Sequence, residues 1–153
     1  MTAGRRWPLA VPSEPMFWYT FQCMLAMQPG ADPVAQLAQC VDELAAEDLR
    51  STPDAALGES LVELRRQVDR LEAEFGRRLR RFDRTRGFVS DGAATLVSWL
   101  RSLCRLSPSA AHQRVELARG LEELPAVEAA WRSGEIGFGH AAILARSVAE
   151  VGA

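Results

Sequence analysis

Apolar residues recur every three or four positions along most of the chain, which is the spacing of an amphipathic α-helix. Proline, glycine and serine divide this pattern into segments, because they cap helices or cannot continue them. We therefore predict an all-α fold, in which a long antiparallel helix hairpin is followed by a compact bundle of about four short helices. The predicted helices occupy 32–49, 55–84, 93–106, 108–124 and 125–134, and the last begins near 138.

The hairpin is predicted over residues 32–86, with an acidic first helix and a basic long helix. Asp32 and Pro33 supply a capping carboxylate and a proline at the first helical position. Apolar residues of the long helix alternate spacings of four and three, with an extra four-residue step after Phe75, which is typical of a heptad seam with one stutter. We expect this seam to pair with the first helix or with another copy of the chain. The seam residues are Leu57, Leu61, Leu64, Val68, Leu71, Phe75, Leu79 and Phe82.

The small helical bundle is predicted over residues 87–153, after a glycine-containing turn. Ser107-Pro108 marks the start of its second helix, Pro125 the start of its third, and Gly134 the end of the third. Short helices must pack against one another to bury their apolar faces. The residues expected on these faces are Leu96, Trp99, Leu100 and Leu103, then Ala111, Val115, Ala118 and Leu121, then Trp131, and finally Ala142, Ile143 and Val148.

Residues 1–31 are predicted to form an irregular apolar N-terminal arm. The run 16–27 follows Arg5-Arg6 and superficially resembles a signal peptide, but prolines interrupt the start and no small-residue cleavage site follows. It is also shorter than the roughly 18 apolar residues that a membrane span needs. We expect the arm to pack on the domain, or the true start codon to lie further along, and we expect no membrane segment.

Length and composition are those of an ordinary globular protein of one structural domain. The 153 residues are 48% hydrophobic and 25% charged, and the net charge of −2 gives no overall bias towards nucleic acid. All 18 basic residues are arginine, which suggests a GC-rich genome. The three cysteines are scattered and odd in number, so we expect buried free thiols and a cytoplasmic location.

The sequence contains no catalytic signature. Its two histidines, His112 and His140, lie on different predicted helices without a cysteine or carboxylate cluster at metal-ligand spacing. Phosphate-loop, dinucleotide-binding and nucleophile-elbow motifs are missing from it. We therefore expect no enzymatic activity, no metal, no cofactor and no small-molecule ligand.

Charge is unevenly distributed within the predicted hairpin. Residues 32–63 hold eight acidic residues and one arginine, whereas 65–86 hold nine arginines and four acidic residues. A basic stripe of this kind can contact phosphate. The alternative is that it solvates the outer face of the helix or pairs with the acidic helix, and the interrupting acids favour this alternative. The strongest candidates for DNA contact on this helix are Arg77, Arg78, Arg80 and Arg81.

The predicted helices 93–106 and 108–124 superficially resemble a helix-turn-helix. In that arrangement Ser109, His112 and Gln113 face base edges. Glu116 and Glu123 lie on the same stripe as His112, residues 107–153 are net acidic, and paired helices occur in most helical proteins. Packing in a bundle is therefore the main expectation, and base recognition is the alternative. The arginines expected to contact the DNA backbone are Arg101, Arg105, Arg114 and Arg119.

An ordered set of short motifs carries a resemblance to a known family. The motifs are Leu44-Ala45-Ala46-Glu47-Asp48-Leu49, Phe82-Asp83, Ser98-Trp99-Leu100, Leu106-Ser107-Pro108, Val115-x-Leu117-Ala118-Arg119-x-Leu121, Leu124-Pro125, Gly134-Glu135-Ile136 and His140-Ala141. With these motifs, the sequence resembles the domain of unknown function 222, also called the thirteen-E-twelve repeat family, of high-GC actinobacteria. The resemblance runs from about residue 34 to 151.

The resemblance implies a role near DNA, because members of this family usually carry a C-terminal HNH nuclease domain after the helical domain. We find no such nuclease motif within these 153 residues, so we expect the chain to be truncated relative to the family. We expect a noncatalytic helical module that binds DNA or protein, or that self-associates through the 57–82 helix. The alternatives are a helix-turn-helix-like regulator, and the targeting half of a nuclease whose catalytic domain is separate or lost.

Overall fold

The computed structural model describes residues 32–151, with side chains as far as Val148. This part of the chain is helical throughout, which confirms the predicted all-α class. Short turns connect the helices, and three of them contain a single 3₁₀ turn. The six α-helices are α1 (Pro33–Ala45), α2 (Asp54–Arg84), α3 (Leu96–Leu103), α4 (Pro108–Gly120), α5 (Pro125–Ser133) and α6 (Phe138–Val151).

The chain divides into two compact units between Ser51 and Thr52. The first contains α1 and the second contains α2 to α6. This division falls earlier than the predicted boundary at residue 86, because the second half of α2 carries core residues of the bundle. The antiparallel hairpin of α1 and α2 stays a prediction. The predicted arm, residues 1–31, lies outside the described residues.

Helix starts and stops follow the local signals in the sequence. The Val34 amide donates to Asp32 Oδ1 at 3.1 Å, and the Ala110 amide donates to Ser107 Oγ at 3.2 Å. Both caps precede a proline in the first turn, where its missing N–H leaves no hydrogen bond unmade. Gly134 ends α5 in the left-handed region, with φ 79°, a conformation that glycine adopts without steric cost. These three predicted boundaries are confirmed.

The end of α2 packs against α3 and α4 around a first core cluster. Phe82 and Trp99 lie with their ring centroids 4.8 Å apart, and the Trp99 indole N–H donates to Asp91 at 2.7 Å. This contact fixes the turn between α2 and α3. The buried residues of the cluster are Leu79, Phe88, Leu96, Leu100, Ala111, Val115 and Ala118.

A second core cluster joins α2, α4, α5 and α6, and it depends on small residues. A Cβ added at Gly76 would lie 3.4 Å from the Trp131 ring, and one at Gly120 would lie 3.3 Å from the Ala145 Cβ. The helices approach closely at these points because little side chain separates them. The buried residues of the cluster are Ala73, Leu117, Leu121, Trp131, Ala141 and Ala145.

Some predicted apolar faces are wrong. Leu103 is 60% exposed and Ile143 is 59% exposed, and Val148 is also exposed. On α6 the buried positions are Ala141 and Ala145, because the close contact with α4 leaves no room for larger side chains. By contrast, the predicted face of α4 is confirmed in full, and Leu117 is buried in addition.

The cysteine prediction also needs correction. Cys40 is exposed on α1, so the expectation of a buried thiol is wrong there. Cys104 is half-buried beside the first core cluster, and this burial raises the pKa of its thiol. Cys23 lies in the part of the chain that the structure does not describe.

Candidate nucleic-acid interface

Two of the predicted DNA-contacting arginines lie in ion pairs between helices of the second unit. Arg80 of α2 donates to Glu128 of α5 at 2.7 Å, and its side chain is only 16% exposed. Arg114 of α4 donates to Glu72 of α2 at 2.7 Å, with its guanidinium 5.1 Å from the Phe138 ring centroid. Both arginines therefore stabilise helix packing.

Two further arginines join the end of α2 to its neighbours. Arg119 of α4 donates to Asp83 at 2.7 Å, a hydrogen bond that raises the Arg119 pKa. Arg84 of α2 donates to Glu122 at 2.9 Å. Since both guanidinium groups are well exposed, each pair contributes modestly to stability. Of the acids that interrupt the basic stripe, Glu72 and Asp83 thus pair with arginines of α4.

Arg77 and Arg78 share a carboxylate on their own helix. Glu74 accepts from Arg77 at 2.7 Å and from Arg78 at 2.8 Å. These two hydrogen bonds, with Arg77 the larger cause, lower the pKa of Glu74 to about 2. The concentrated positive charge predicted on this part of α2 is therefore partly neutralised where it arises.

Three predicted arginines remain exposed without a carboxylate partner within residues 32–148: Arg81, Arg101 and Arg105. Arg101 lies in the last turn of α3, and Arg105 lies in the turn between α3 and α4. His112 and Gln113 are exposed on α4, as is Ser109. Arg80 and Arg114 thus differ from these candidates, because both lie in ion pairs between helices. The sequence alone did not distinguish the two groups.

The α3–turn–α4 segment has the local geometry of a tight two-helix motif. Thr95 and Ser98 form a reciprocal capping box at the start of α3. Arg105 adopts a left-handed conformation with φ 55°, and the Leu106 amide donates back to the Leu100 carbonyl at 3.4 Å. This is a helix C-terminal motif in which glycine usually occupies the left-handed position. The turn between α3 and α4 has four residues, 104–107, a length typical of helix-turn-helix motifs, and α3 ends earlier than the predicted helix end at residue 106.

Asp69 is a structurally important residue that the sequence analysis treated only as an interruption of the basic stripe. It is 8% exposed on α2, and it accepts from the Phe138 amide at 3.2 Å and from Arg65 Nε at 3.0 Å. A Cβ added at Gly137 would lie 3.1 Å from the Asp69 carboxylate. Asp69 therefore caps the start of α6 from another helix. In the sequence this contact is reflected only by Gly137, where a side chain would meet the Asp69 carboxylate.

Replacing Asp69 with alanine is expected to lower the free energy of unfolding by about 1–2 kcal/mol at neutral pH, because the Phe138 amide at the start of α6 loses its acceptor. The Arg65 hydrogen bond, the largest cause, and the Phe138 amide lower the pKa of Asp69. A lowered folded-state pKa stabilises the fold above the unfolded pKa of about 4, and this contribution is lost as the pH falls through the folded value. Urea unfolding at a series of pH values measures the difference between the two proteins. A difference that stays constant from pH 7 to pH 2 would contradict the assignment.

Within residues 32–148, no three histidine, cysteine, aspartate or glutamate side chains lie close enough together to hold a metal ion. His112 and His140 are both exposed. None of the helices described here is long and apolar enough to cross a membrane.

Comparison with known proteins gives a family. The model of a family described as a domain of unknown function, DUF222, matches residues 54–153. The match begins at the first residue of α2, later than the predicted start near residue 34, and it spans the whole bundle. No curated protein and no solved structure matches the chain. Because the matched range covers about two thirds of the chain, this protein belongs to the DUF222 family.

Proposed function

We propose that this DUF222 chain is a noncatalytic helical module that binds duplex DNA. The binding surface is the α3–α4 face, which we define as Arg101, Arg105, Ser109, His112 and Gln113. One observation carries the proposal. The bundle uses Arg80 and Arg114 in its own ion pairs, whereas the arginines that flank the first turns of α4 have no acidic partner in the described range.

The arrangement of the α3–α4 face suits a duplex. Arg101 and Arg105 precede the cap of α4, and the exposed polar residues of α4 follow it within two turns. In helix-turn-helix proteins the first residues of the second helix contact base edges, while basic residues near the turn contact phosphates. Gln113 offers both a donor and an acceptor to a base, and His112 offers the same in its neutral form.

The backbone at Arg105 gives independent support. A left-handed conformation costs a non-glycine residue roughly 1–2 kcal/mol, and glycine would adopt it without that cost. Arginine at this exposed position contributes no ion pair to the bundle. A role in binding phosphate accounts for a basic residue at a position where glycine would fold more easily.

Bound to DNA in this way, the module would act as a small regulator, or as the targeting half of a nuclease whose catalytic domain is separate, as the family resemblance implies. The two roles differ in sequence preference. A regulator needs a high ratio of specific to non-specific affinity, whereas a targeting half functions with a smaller ratio.

Fluorescence anisotropy with labelled duplexes, repeated over a range of salt concentrations, tests the proposal. We expect binding that weakens as salt rises, since phosphate contacts release counterions. Arg105→Gly should weaken binding and lower the salt slope by about 1. The same variant should keep or slightly raise the melting temperature, because it removes the left-handed strain. Loss of affinity without loss of stability separates binding from folding.

Two comparison variants sharpen the test. Glu116→Gln removes an exposed carboxylate from α4 beside the proposed face, so it should tighten binding several-fold. Arg132→Ala removes an exposed arginine from the end of α5 and should leave affinity nearly unchanged. Equal weakening by Arg105→Gly and Arg132→Ala would show that affinity depends on the net charge of the chain and not on the α3–α4 face. Failure of the wild-type chain to bind any duplex at low salt would refute the proposal.

A further inference from the structure

Glu116 lies in the middle of the outward side of α4. The buried residues of this helix, from Ala111 to Ala118, pack in the two core clusters. At about 100° per residue, Glu116 projects roughly away from them, in a direction between those of His112 and Gln113. All three of these side chains are exposed. A carboxylate therefore occupies the centre of the side that α4 presents to a bound duplex.

The bundle does not use the Glu116 carboxylate. Arg119 lies three residues further along α4, where an ion pair with Glu116 is within reach, but it donates to Asp83 of α2 instead. Glu116 takes part in none of the ion pairs found within residues 32–148. The acids that stabilise helix packing, such as Glu72 and Glu128, are paired with arginines of other helices. The contacts within the bundle thus do not account for an acid at position 116.

On a surface that binds DNA, a free carboxylate is unfavourable unless it meets a hydrogen-bond donor of a base. A helix in the major groove directs the centre of its outward side towards base edges, and its flanks lie nearer the phosphates. A carboxylate carries only acceptors, so it pairs with the N4 amino group of cytosine. Adenine also has an amino group there, but its N7 acceptor lies beside it and repels a carboxylate. The amide of Gln113, with a donor and an acceptor, matches both adenine groups.

We propose that Glu116 selects a cytosine and Gln113 an adenine when α4 lies in the major groove of a duplex. This inference rests on the proposed function and assigns the residues that give it sequence preference. Residues three apart on a helix differ in height by about 4.5 Å, and successive base pairs by about 3.4 Å. The two selected bases are therefore in neighbouring base pairs or one base pair apart.

A selecting role for Glu116 differs measurably from simple charge repulsion. Its carboxylate repels the phosphates of every duplex, so Glu116→Gln should tighten binding to mixed-sequence DNA in either case. If the carboxylate also accepts from cytosine, the same variant should lose the preference for cytosine, because a glutamine amide both donates and accepts. Repulsion alone leaves the base preference unchanged. The readout is therefore the ratio of affinities for two duplexes, and not either affinity alone.

Selection from a pool of random duplexes by the full chain, followed by sequencing, gives the preferred site. We expect it to contain a C·G pair and an A·T pair at the spacing given above. Fluorescence anisotropy then compares this duplex with one in which T·A replaces the C·G pair. The wild type should prefer the selected duplex by about fivefold or more, and Glu116→Gln should bind both nearly equally. Gln113→Ala should lose only the preference at the A·T pair.

Glu135→Gln is the matched control, because it removes the same charge from an exposed glutamate in the turn after α5. It should leave both base preferences intact, and thermal unfolding should show that all three variants fold. An unchanged cytosine preference in Glu116→Gln would overturn the assignment of Glu116. Salt-dependent binding without any base preference in the wild type would overturn this inference and leave the proposed function standing. Failure to bind any duplex would overturn both.

Discussion

Replacing Trp131 with alanine is expected to lower the free energy of unfolding by about 3–5 kcal/mol, the range for removing a large buried aromatic side chain. Trp131 is 2% exposed and lies in the second core cluster, where Gly76 approaches its ring and Phe138 packs at a centroid distance of 5.9 Å. The cavity would lie between three helices, so little collapse can fill it. Urea unfolding followed by circular dichroism measures the loss, and a loss below about 1 kcal/mol would show that Trp131 is not central to the core.

Trp131→Phe is the matched comparison, and it should cost much less. The indole N–H of Trp131 is buried and has no acceptor in the described part of the chain. An unsatisfied buried donor costs about 1–3 kcal/mol, so phenylalanine loses volume but also removes that penalty. We expect a net loss below about 1.5 kcal/mol. A loss equal to that of alanine would mean that the N–H has a hydrogen-bond partner.

Replacing Leu100 with alanine is expected to cost about 2–5 kcal/mol, whereas Leu103→Ala should change stability by less than about 0.5 kcal/mol. The two leucines lie on the same short helix, and the sequence pattern placed both on its apolar face. In the structure Leu100 is fully buried in the first core cluster and Leu103 is 60% exposed. Thermal or urea unfolding of the two variants compares the same side chain at both sites. Similar losses at both positions would contradict the orientation of α3.

Features set by neighbouring residues could be predicted from the sequence. The start of α1 at Asp32 and Pro33, the start of α4 at Ser107 and the end of α5 at Gly134 all depend on local caps and backbone preferences. The buried face of α4 could also be predicted, because large and small apolar residues there follow one helical stripe.

Features set by close helix packing could not be predicted in the same way. On α6 the large residue Ile143 points outward and Ala141 is buried, since α6 approaches α4 too closely for a larger side chain. On α2 the bundle contacts Ala73 and Gly76, which an apolar periodicity based on large residues overlooks. Small residues become informative only when the partner helix is known.

In the candidate site too, local features could be predicted from the sequence, whereas features that depend on the tertiary fold could not. The sequence identified the arginines, but it could not distinguish Arg80 and Arg114, which pair with acids more than 40 residues away, from Arg101 and Arg105. Such pairs depend on the tertiary fold and leave no signal at short spacing. Asp69 was overlooked for the same reason, because it caps a helix that begins 69 residues later.

The most direct test of the proposed function is a backbone amide NMR titration of the chain with a short duplex at low salt. The account predicts that the largest chemical-shift changes fall in residues 101–116, at the end of α3, the turn and the first turns of α4. Residues of the second core cluster should change little, because the bundle itself does not rearrange. Changes centred on Arg77 and Arg78 instead, or no changes at saturating duplex, would contradict the assignment of the α3–α4 face.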